Sequence, residues 1–100
     1  MKLVISEDVR NDLVDIGKFI AKNNPARAST FVDELLDCCF SLTSMPEAYQ
    51  LLPRYEEIGI RRFPHGNYSI FYIASETTVK ILRILYGTRN YEQLLLPDTE

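Results

Sequence analysis

The N-terminal part of the chain follows the pattern of a strand and then a helix. A short apolar run at residues 2–5 predicts the strand. Ser6 suits the N-cap of the helix, because its hydroxyl can accept a hydrogen bond from an amide of the first turn. Apolar residues then recur at spacings of four, three and four, which places them on one helical face: Val9, Leu13, Ile16 and Ile20. We expect this helix to end near Asn23.

The pair Asn24-Pro25 predicts the start of a second helix. Asparagine is a favoured N-cap, and proline fits the first helical position because an N–H would have no partner there. An apolar stripe follows: Ala28, Phe31, Val32, Leu35, Leu36, Cys39 and Leu42. Acidic residues mark the solvent side: Asp33, Glu34 and Asp37. Since very few residues separate the two helices, we expect an antiparallel helical hairpin.

The second half of the chain has the two-residue period of strands. Residues 45–59 hold two prolines and no sustained period, so we expect a loop with at most a short helical turn. Three strands are predicted after it, because turn-forming residues separate the apolar runs at 58–63, 68–74 and 78–86. A further short helix is predicted at 91–95.

The element order β-α-α-β-β-β predicts a single α+β domain over residues 1–100. The three closely linked strands should form an antiparallel meander. We expect the helical hairpin to cover one face of this antiparallel sheet, which gives a two-layer domain. One core between the layers is expected to contain Val9, Leu13, Ile16, Phe31, Leu35, Leu42 and Phe71.

Composition and cysteine usage remove several classes of function. The chain is 46% hydrophobic and 25% charged, as in soluble globular domains, and no apolar run approaches the roughly 20 residues that a membrane-spanning helix needs. The N-terminus turns acidic after its apolar run, unlike a secretory signal, so we expect a cytoplasmic protein. Cys38 and Cys39 cannot pair with each other, and with a single histidine they do not fill a zinc site. We expect neither a metal nor a cofactor.

The charge is unevenly distributed, although the net charge is only −3. Acidic residues outnumber basic ones in residues 1–57, whereas residues 58–90 carry five basic residues and one acidic residue. This asymmetry favours a local binding face for an acidic partner. Strong non-specific binding to nucleic acid rests on many Lys and Arg contacts to phosphates, which the acidic balance disfavours. We therefore expect no membrane partner and no direct sequence-specific binding of nucleic acid by this chain alone.

Few residues suit catalysis. The four glycines lie far apart, so the sequence holds no glycine-rich phosphate loop. His65 follows Pro64 in a turn, where a solvated histidine is a better interpretation than a member of a hydrolase triad. Strand alternation places Arg83 on one face with Val79, Ile81 and Leu85. Arg83 then needs a partner or an open groove, or it extends its apolar stem toward a sheet edge, and both interpretations stay open.

Two stretches of the strand region resemble the ParE branch of the ParE/RelE toxins. Residues 61–72 form an Arg-rich strand that ends in Phe-Pro-x-Gly and continues with Tyr-x-Ile-Phe-Tyr. Residues 84–90, Ile-Leu-Tyr-Gly-Thr-Arg-Asn, stand where that branch usually has an apolar pair followed by His-Gly-x-Arg-Asp. Tyr86 and Asn90 thus depart from the usual pattern. The two helix starts are also similar, so the resemblance covers residues 2–95.

The resemblance implies a toxin that acts by binding other macromolecules and carries no catalytic residues. Its fold would be a helical hairpin on an antiparallel sheet. A ParD-like antitoxin would wrap it with an acidic and apolar C-terminal segment, and the usual target of such toxins is DNA gyrase. Arginine and aromatic residues dominate such interfaces, so the candidate contacts with antitoxin or target are Arg61, Arg62, Phe63, Tyr72, Arg83, Arg89, Asn90 and Tyr91.

Two other functions stay open at this point. A RelE-like, ribosome-dependent mRNA endonuclease needs cationic groups for the transition state and a group that transfers a proton. RelE-like enzymes carry an arginine directly after the turn tyrosine, where this chain has Ser69, and Leu95 falls near the place of their tail tyrosine. Arg62 and Arg89 would remain as cationic groups. The third function is that of a degenerate toxin that retains only antitoxin binding.

Overall fold

This computed structural model describes residues 1–87, which contain two helices and four strands. In chain order they are β1 (Lys2–Ile5), α1 (Glu7–Ala21), α2 (Pro25–Ser41), β2 (Ile60–His65), β3 (Tyr68–Ala74) and β4 (Thr78–Tyr86). The predicted α+β order β-α-α-β-β-β is confirmed. The helix predicted at 91–95 lies outside the described residues.

Both helices begin where the sequence predicts. The Ser6 hydroxyl accepts a hydrogen bond from the Val9 amide at 3.3 Å. Asn24 Oδ1 accepts one from the Arg27 amide at 3.1 Å, and Pro25 stands at the first helical position. These side chains satisfy amides that have no partner within the helix. The short link between α1 and α2 lets the two helices pack against each other, as expected of a hairpin.

The four strands form one sheet in the order β1-β4-β3-β2. Strands β2, β3 and β4 are the predicted antiparallel meander. Strand β1 lies beside β4 and runs parallel to it, from Lys2 opposite Thr78 to Ile5 opposite Ile81. The sheet is therefore mixed: its antiparallel part is the predicted meander, and β1 adds a parallel strand whose pairing was not predicted. An apolar run predicts a strand but does not specify which neighbour the strand pairs with.

A β-bulge interrupts β4. Arg83 is paired with Phe71 and Ile81 with Tyr72, so Leu82 is an extra residue without a counterpart in β3. An extra residue in one strand shifts the alternation of its side chains between the two faces of the sheet. The bulge therefore changes which residues of β4 contact the helices.

The residues of β4 that face the helices lie on both sides of the bulge: Val79, Ile81 and Ile84. The opposite face receives Leu82 and Leu85. The expected single face with Val79, Ile81, Arg83 and Leu85 is therefore wrong. The physical reason is the one extra residue, which reverses the alternation after position 82.

The larger apolar core lies between the helices and the sheet. The expected residues found there are Val9, Leu13, Ile16, Phe31, Leu35 and Leu42. Phe71 is also fully buried, but it belongs to a second cluster with Leu52 and Ile60. Its expected place in the first core is wrong, because Ile70 and Tyr72 occupy the helix side of β3 and strand side chains alternate. We call the side that carries Ile60 and Phe71 the helix-free face.

The irregular segment 45–59 runs along the outer edge of β2, as the sequence predicts for a loop. The Leu52 amide donates to Ile60 O at 2.8 Å, and the Arg62 amide donates to Gln50 O at 3.1 Å. These bonds pair part of an edge that a strand would otherwise leave open. The same segment brings Leu52 against the second cluster.

Neither helix within residues 1–87 is long and apolar enough to cross a membrane. Both cysteines are free thiols, and burial raises the pKa of Cys39 to about 12. A thiol with such a pKa stays protonated at neutral pH and packs as a small apolar group. In the described part of the chain, no group of three His, Cys, Asp or Glu side chains could hold a metal ion.

Candidate partner-binding site

The two adjacent arginines of β2 point to opposite faces of the sheet, as strand alternation requires. Arg61 lies on the helix side, where its Nη1 donates to Tyr49 O at 2.7 Å. Arg62 lies on the helix-free face, where its Nε donates to Ser69 Oγ at 2.8 Å. Arg61 thus fastens the loop to the sheet, whereas Arg62 keeps its two terminal nitrogens for other contacts.

A pocket with a volume of about 310 Å³ opens beside Arg62. The residues that line it are the loop segment 48–53, Arg62 and Pro64, and we call it the β2 pocket. Arg62 is the single charged residue among these eight. Within residues 1–87, its Nη1 and Nη2 atoms form no hydrogen bond or ion pair. Among the predicted contact residues that are described, Arg62 is the one best placed to bind a partner.

Phe63 is half-buried, and its ring stacks on that of Tyr49. The two ring centroids are 3.9 Å apart and the ring planes differ by 13°. Stacked aromatic rings of this kind contribute about 0.5–1.5 kcal/mol beyond the area that they bury. Together with the bond from Arg61, the stack holds the loop against β2, so Phe63 serves the fold first.

Tyr72 is not a surface residue, so the prediction that it contacts a partner is wrong. The side chain is fully buried, and its hydroxyl donates to Pro46 O at 2.9 Å. Burial raises the pKa of Tyr72 above its usual value. Alternation in β3 places Tyr72 on the helix side, where it belongs to the core. The sequence pattern could not show this, because almost every residue of β3 is apolar or aromatic on both faces.

Arg83 has found a partner in Asp12 of α1. The guanidinium donates from Nε to Oδ2 at 2.8 Å and from Nη2 to Oδ1 at 2.7 Å. Asp12 Oδ2 also accepts from the Ile84 amide at 3.0 Å. Of the two interpretations left open for Arg83, the structure supports the paired one.

The same ion pair completes the backbone bonding of β4. Strand β1 pairs with β4 only as far as Ile81, so within residues 1–87 the later residues of β4 have no strand on that side. The Asp12 carboxylate takes the place of a strand neighbour at Ile84. The hydrogen bond to Asp12 raises the pKa of Arg83, which remains charged. Arg83 therefore holds α1 to the sheet, and its side chain is only 23% exposed.

His65 joins the β2–β3 turn to α2. Its Nε2 lies 2.9 Å from Glu34 Oε1, and Glu34 is also paired with Arg27 at 2.6 Å. The hydrogen bonds from Arg27 and then from His65 lower the pKa of Glu34 to about 2. The His65 ring packs 5.4 Å from that of Phe31. His65 is thus a half-exposed structural histidine, without the serine partner that a hydrolase triad requires.

The structure also brings together three aromatic residues that the sequence analysis did not select. Phe19 is 60% exposed and Tyr86 is 56% exposed, and Tyr68 is buried with its ring centroid 5.3 Å from that of Tyr86. They line a hollow of about 190 Å³, which we call the aromatic patch. Lys22 Nζ lies 6.0 Å from the centre of the Phe19 ring. Exposed aromatic residues beside a cation are typical of protein-binding surfaces.

One signal in the sequence could have identified Phe19. The residue lies off the apolar stripe of α1, beside Lys18, where a bulky aromatic side chain has no place in the core. An exposed aromatic residue becomes a candidate for a binding surface when further exposed rings lie beside it, as Tyr86 does here. The other predicted contacts, Arg89, Asn90 and Tyr91, lie outside the described residues.

Comparison with known proteins agrees with this architecture. The family model described as the ParE toxin of the type II toxin–antitoxin system parDE matches residues 3–91. No curated protein sequence matches the chain. Among solved structures, the chromosomal ParDE toxin–antitoxin system from P. aeruginosa has a TM-score of 0.71 at 18% identity, covering 87% of this chain and 96% of that one. The RelBE2 toxin–antitoxin complex from Mycobacterium tuberculosis has a TM-score of 0.63 at 23% identity, covering 85% and 95%.

At these identities the two solved structures show a common fold. The family match is more specific, since it extends over most of the sequence, from β1 to beyond β4. The chain belongs to the family of ParE toxins of type II toxin–antitoxin systems.

Proposed function

We propose that this ParE-family toxin arrests growth in the cytoplasm by binding DNA gyrase, and that a ParD-like antitoxin neutralises it. The observation that carries the proposal is the family match over residues 3–91. Gyrase is the usual target of characterised ParE toxins, to which the strand motifs of this chain are similar. The toxin would act as a protein-binding inhibitor.

The arrangement around Arg62 favours binding over RNA cleavage. Metal-free cleavage needs a cationic group together with a side chain that transfers a proton. Ser69, which stands where RelE-like enzymes carry an arginine, is 1% exposed and accepts a hydrogen bond from Arg62. His65 lies on the other side of the sheet in contact with Glu34. Within residues 1–87, the β2 pocket beside Arg62 therefore carries no second cation.

The aromatic patch is the surface that best suits the apolar part of an antitoxin segment. Phe19 and Tyr86 offer large exposed rings, which are frequent anchors in protein interfaces. Lys22 and Arg27 lie close to the same region, next to the rings of Phe19 and Phe31. Because Arg27 is already paired with Glu34 and Phe31 is buried, Lys22 beside the exposed Phe19 ring is the feature that suits a segment both acidic and apolar.

The proposal is tested by supplying the purified chain to gyrase. We expect inhibition of supercoiling in a reaction that contains no RNA and no ribosomes, and we expect growth arrest when the chain is induced without its antitoxin. DNA content in the arrested cells should fall behind cell mass. Cleavage of translating mRNA with gyrase unaffected would assign the chain to the nuclease branch. Antitoxin binding without toxicity would identify a degenerate toxin.

A single substitution separates toxicity from folding. Gly87 has a φ of 66°, so the chain bends as it leaves β4, and the sequence places Arg89 just after this bend. We expect Arg89→Ala to abolish growth arrest while thermal unfolding and antitoxin binding stay near those of the parent, because function resides in the site. Arg10→Ala, which removes the same charge from the surface of α1, is the control. Full toxicity of Arg89→Ala would exclude Arg89 from the target contact.

A further inference from the structure

The β2 pocket is formed on the helix-free face and is separate from the aromatic patch. Arg62 and Pro64 of β2 form its wall on the sheet side. Phe63 lies between them in the sequence and points to the helix side, because side chains alternate along a strand. The other wall of the pocket is the loop segment 48–53, held in place by the bond from the Arg62 amide to Gln50 O. With about 310 Å³, the pocket lies at the lower end of the range for ligand sites, roughly 300–1,000 Å³. It can hold a short piece of extended chain but not a helix.

The guanidinium of Arg62 has a fixed orientation. Its Nε donates to Ser69 Oγ at 2.8 Å, and Ser69 is 1% exposed, so the acceptor is part of the rigid sheet. The two remaining nitrogens, Nη1 and Nη2, form a planar fork. A carboxylate can accept one hydrogen bond from each, which is the geometry that makes arginine–carboxylate pairs stronger than neutral hydrogen bonds.

The surroundings of Arg62 select the class of anion. Among residues 1–87, Arg62 is the only cation on the pocket wall, and the neighbouring Arg61 points to the other side of the sheet, where it donates to Tyr49 O. A nucleic-acid backbone gains its affinity from several cations that contact successive phosphates, whereas one carboxylate is satisfied by one guanidinium. The rest of the wall is largely apolar, with Leu51, Leu52, Pro53 and Pro64.

We propose that the β2 pocket recognises an acidic peptide, in which one carboxylate binds the Nη1 and Nη2 atoms of Arg62 and an adjacent apolar side chain packs against Leu51 and Pro64. The proposal deepens the proposed function and rests on it for the source of the peptide, which is the acidic and apolar segment of the antitoxin. The wrapping segment would thus contact both sides of the sheet, with apolar anchors at the aromatic patch and a carboxylate at the β2 pocket.

The test uses the full chain labelled with ¹⁵N and two blocked dipeptides, acetyl-Leu-Glu-amide and acetyl-Leu-Gln-amide. They have nearly the same shape, but only the first carries a carboxylate. We expect amide shifts confined to residues 48–52, 62 and 69, and an affinity at least about tenfold higher for the Glu probe, since a charged hydrogen bond contributes roughly 1.5–3 kcal/mol. Equal affinities, or shifts elsewhere in the chain, would overturn the proposal. Inorganic phosphate that moves the same signals at lower concentration than the Glu probe would overturn the choice of carboxylate.

Matched variants separate the fork from general charge. Arg62→Gln is expected to lose the preference for the Glu probe, and Arg62→Lys to lose most of it, because an ammonium keeps the charge but not the planar pair of donors. Arg10→Gln removes the same charge from the exposed surface of α1 and should bind like the parent. If Arg10→Gln and Arg62→Gln weaken binding of the Glu probe equally, the probe is bound by non-specific charge attraction and the proposal is overturned. If Arg62→Gln does not fold, Arg62→Lys decides alone.

The source of the peptide is tested separately with the purified antitoxin. We expect Arg62→Gln to weaken antitoxin binding about tenfold or more, with Arg10→Gln unchanged. If the Glu probe binds at Arg62 but Arg62→Gln leaves the antitoxin affinity unchanged, the acidic peptide does not come from the antitoxin. A failure of gyrase inhibition would leave the dipeptide result intact, so the two proposals can fail independently.

Discussion

Two arginines of the sheet, Arg83 and Arg62, differ in how their charges are paired. On the helix side, α1 and α2 cover the larger core. The register of β4 places Arg83 opposite Phe71, on the helix-free face, but its guanidinium reaches Asp12 of α1 at 2.7 Å beside the edge of β4 that β1 does not cover. On the helix-free face, a loop covers a smaller cluster, and Arg62 has only the Ser69 hydroxyl as a partner within residues 1–87. Both residues are arginines in strands of the same sheet.

This difference teaches how to separate structural from binding arginines. An arginine whose guanidinium is already bonded by a buried carboxylate contributes to the fold, because loss of either charge leaves the other uncompensated. An oriented arginine without a carboxylate, beside a pocket, has donors left for a ligand. The sequence places both in similar apolar surroundings, and only the contacts of each residue distinguish them.

The largest effect on stability is expected from truncating a side chain in the core on the helix side. Leu35 is fully buried in α2, so Leu35→Ala should lower the free energy of unfolding by about 3–5 kcal/mol. Denaturant unfolding followed by circular dichroism measures this change. Phe40→Ala on the same helix is the control, since Phe40 is 61% exposed and should change stability by less than about 1 kcal/mol. A Leu35→Ala protein as stable as the parent would show that this core is not the main source of stability.

Removing the charge of Asp12 should have the next largest effect. We expect Asp12→Asn to cost about 2–3 kcal/mol, less than a completely buried pair, because Arg83 is 23% exposed. Asp15→Asn, an exposed change on the same helix, is the control. A double-mutant cycle with Arg83→Gln should show strong coupling, since the two side chains share two hydrogen bonds. Additive effects in that cycle would argue against the pair.

The helix-free face should be less sensitive. Leu52 belongs to the loop, is 5% exposed and packs on Ile60 and Phe71. We expect Leu52→Ala to cost about 2 kcal/mol, because a loop can collapse into the space that is left. The same unfolding measurement applies. A loss as large as that of Leu35→Ala would mean that the two faces contribute equally, and the contrast between them would disappear.

The smallest effect concerns pH and the exposed ion pairs of Glu34. Its folded-state pKa of about 2 lies below the value of about 4.3 expected in the unfolded chain. The stabilisation is therefore present above the unfolded value and is lost as pH falls toward the folded one. We expect the stability difference between the parent and Glu34→Gln to be small, since exposed pairs contribute little, and to narrow between about pH 5 and pH 2. A difference that does not change with pH would contradict the ionic contribution.

The local signals in the sequence were sufficient to predict the helices and strands, but not to predict which face of the sheet each side chain occupies. Ser6 and the Asn24-Pro25 pair act through their own neighbouring amides, so the helix starts could be predicted. The places of Phe71 and Tyr72 depend on which side of β3 meets the helices, and both sides of this strand are apolar.

The partner of Arg83 could not be predicted either. Asp12 is 71 positions away in the chain, and on α1 it looks like any other acidic residue of an amphipathic helix. The parallel pairing of β1 with β4 is also a long-range contact. Arg62 was predicted as a partner contact, and this stays a prediction. The β2 pocket beside it could not be predicted, because it depends on how the loop folds back on β2 and not on the period of the sequence.

The bulge at Leu82 sets a rule for aligning this chain with its relatives. A relative whose β4 is regular has one residue fewer between the start of that strand and the turn glycine, so a correct alignment opens its gap opposite Leu82. Without the gap, Arg83 would be matched to core positions of the other sequence, and Ile84 to positions on the opposite face. The alignment columns of Arg83 and Ile84 would then each mix residues from the two faces of the sheet. Such columns could not show whether relatives keep the ion pair between Arg83 and Asp12.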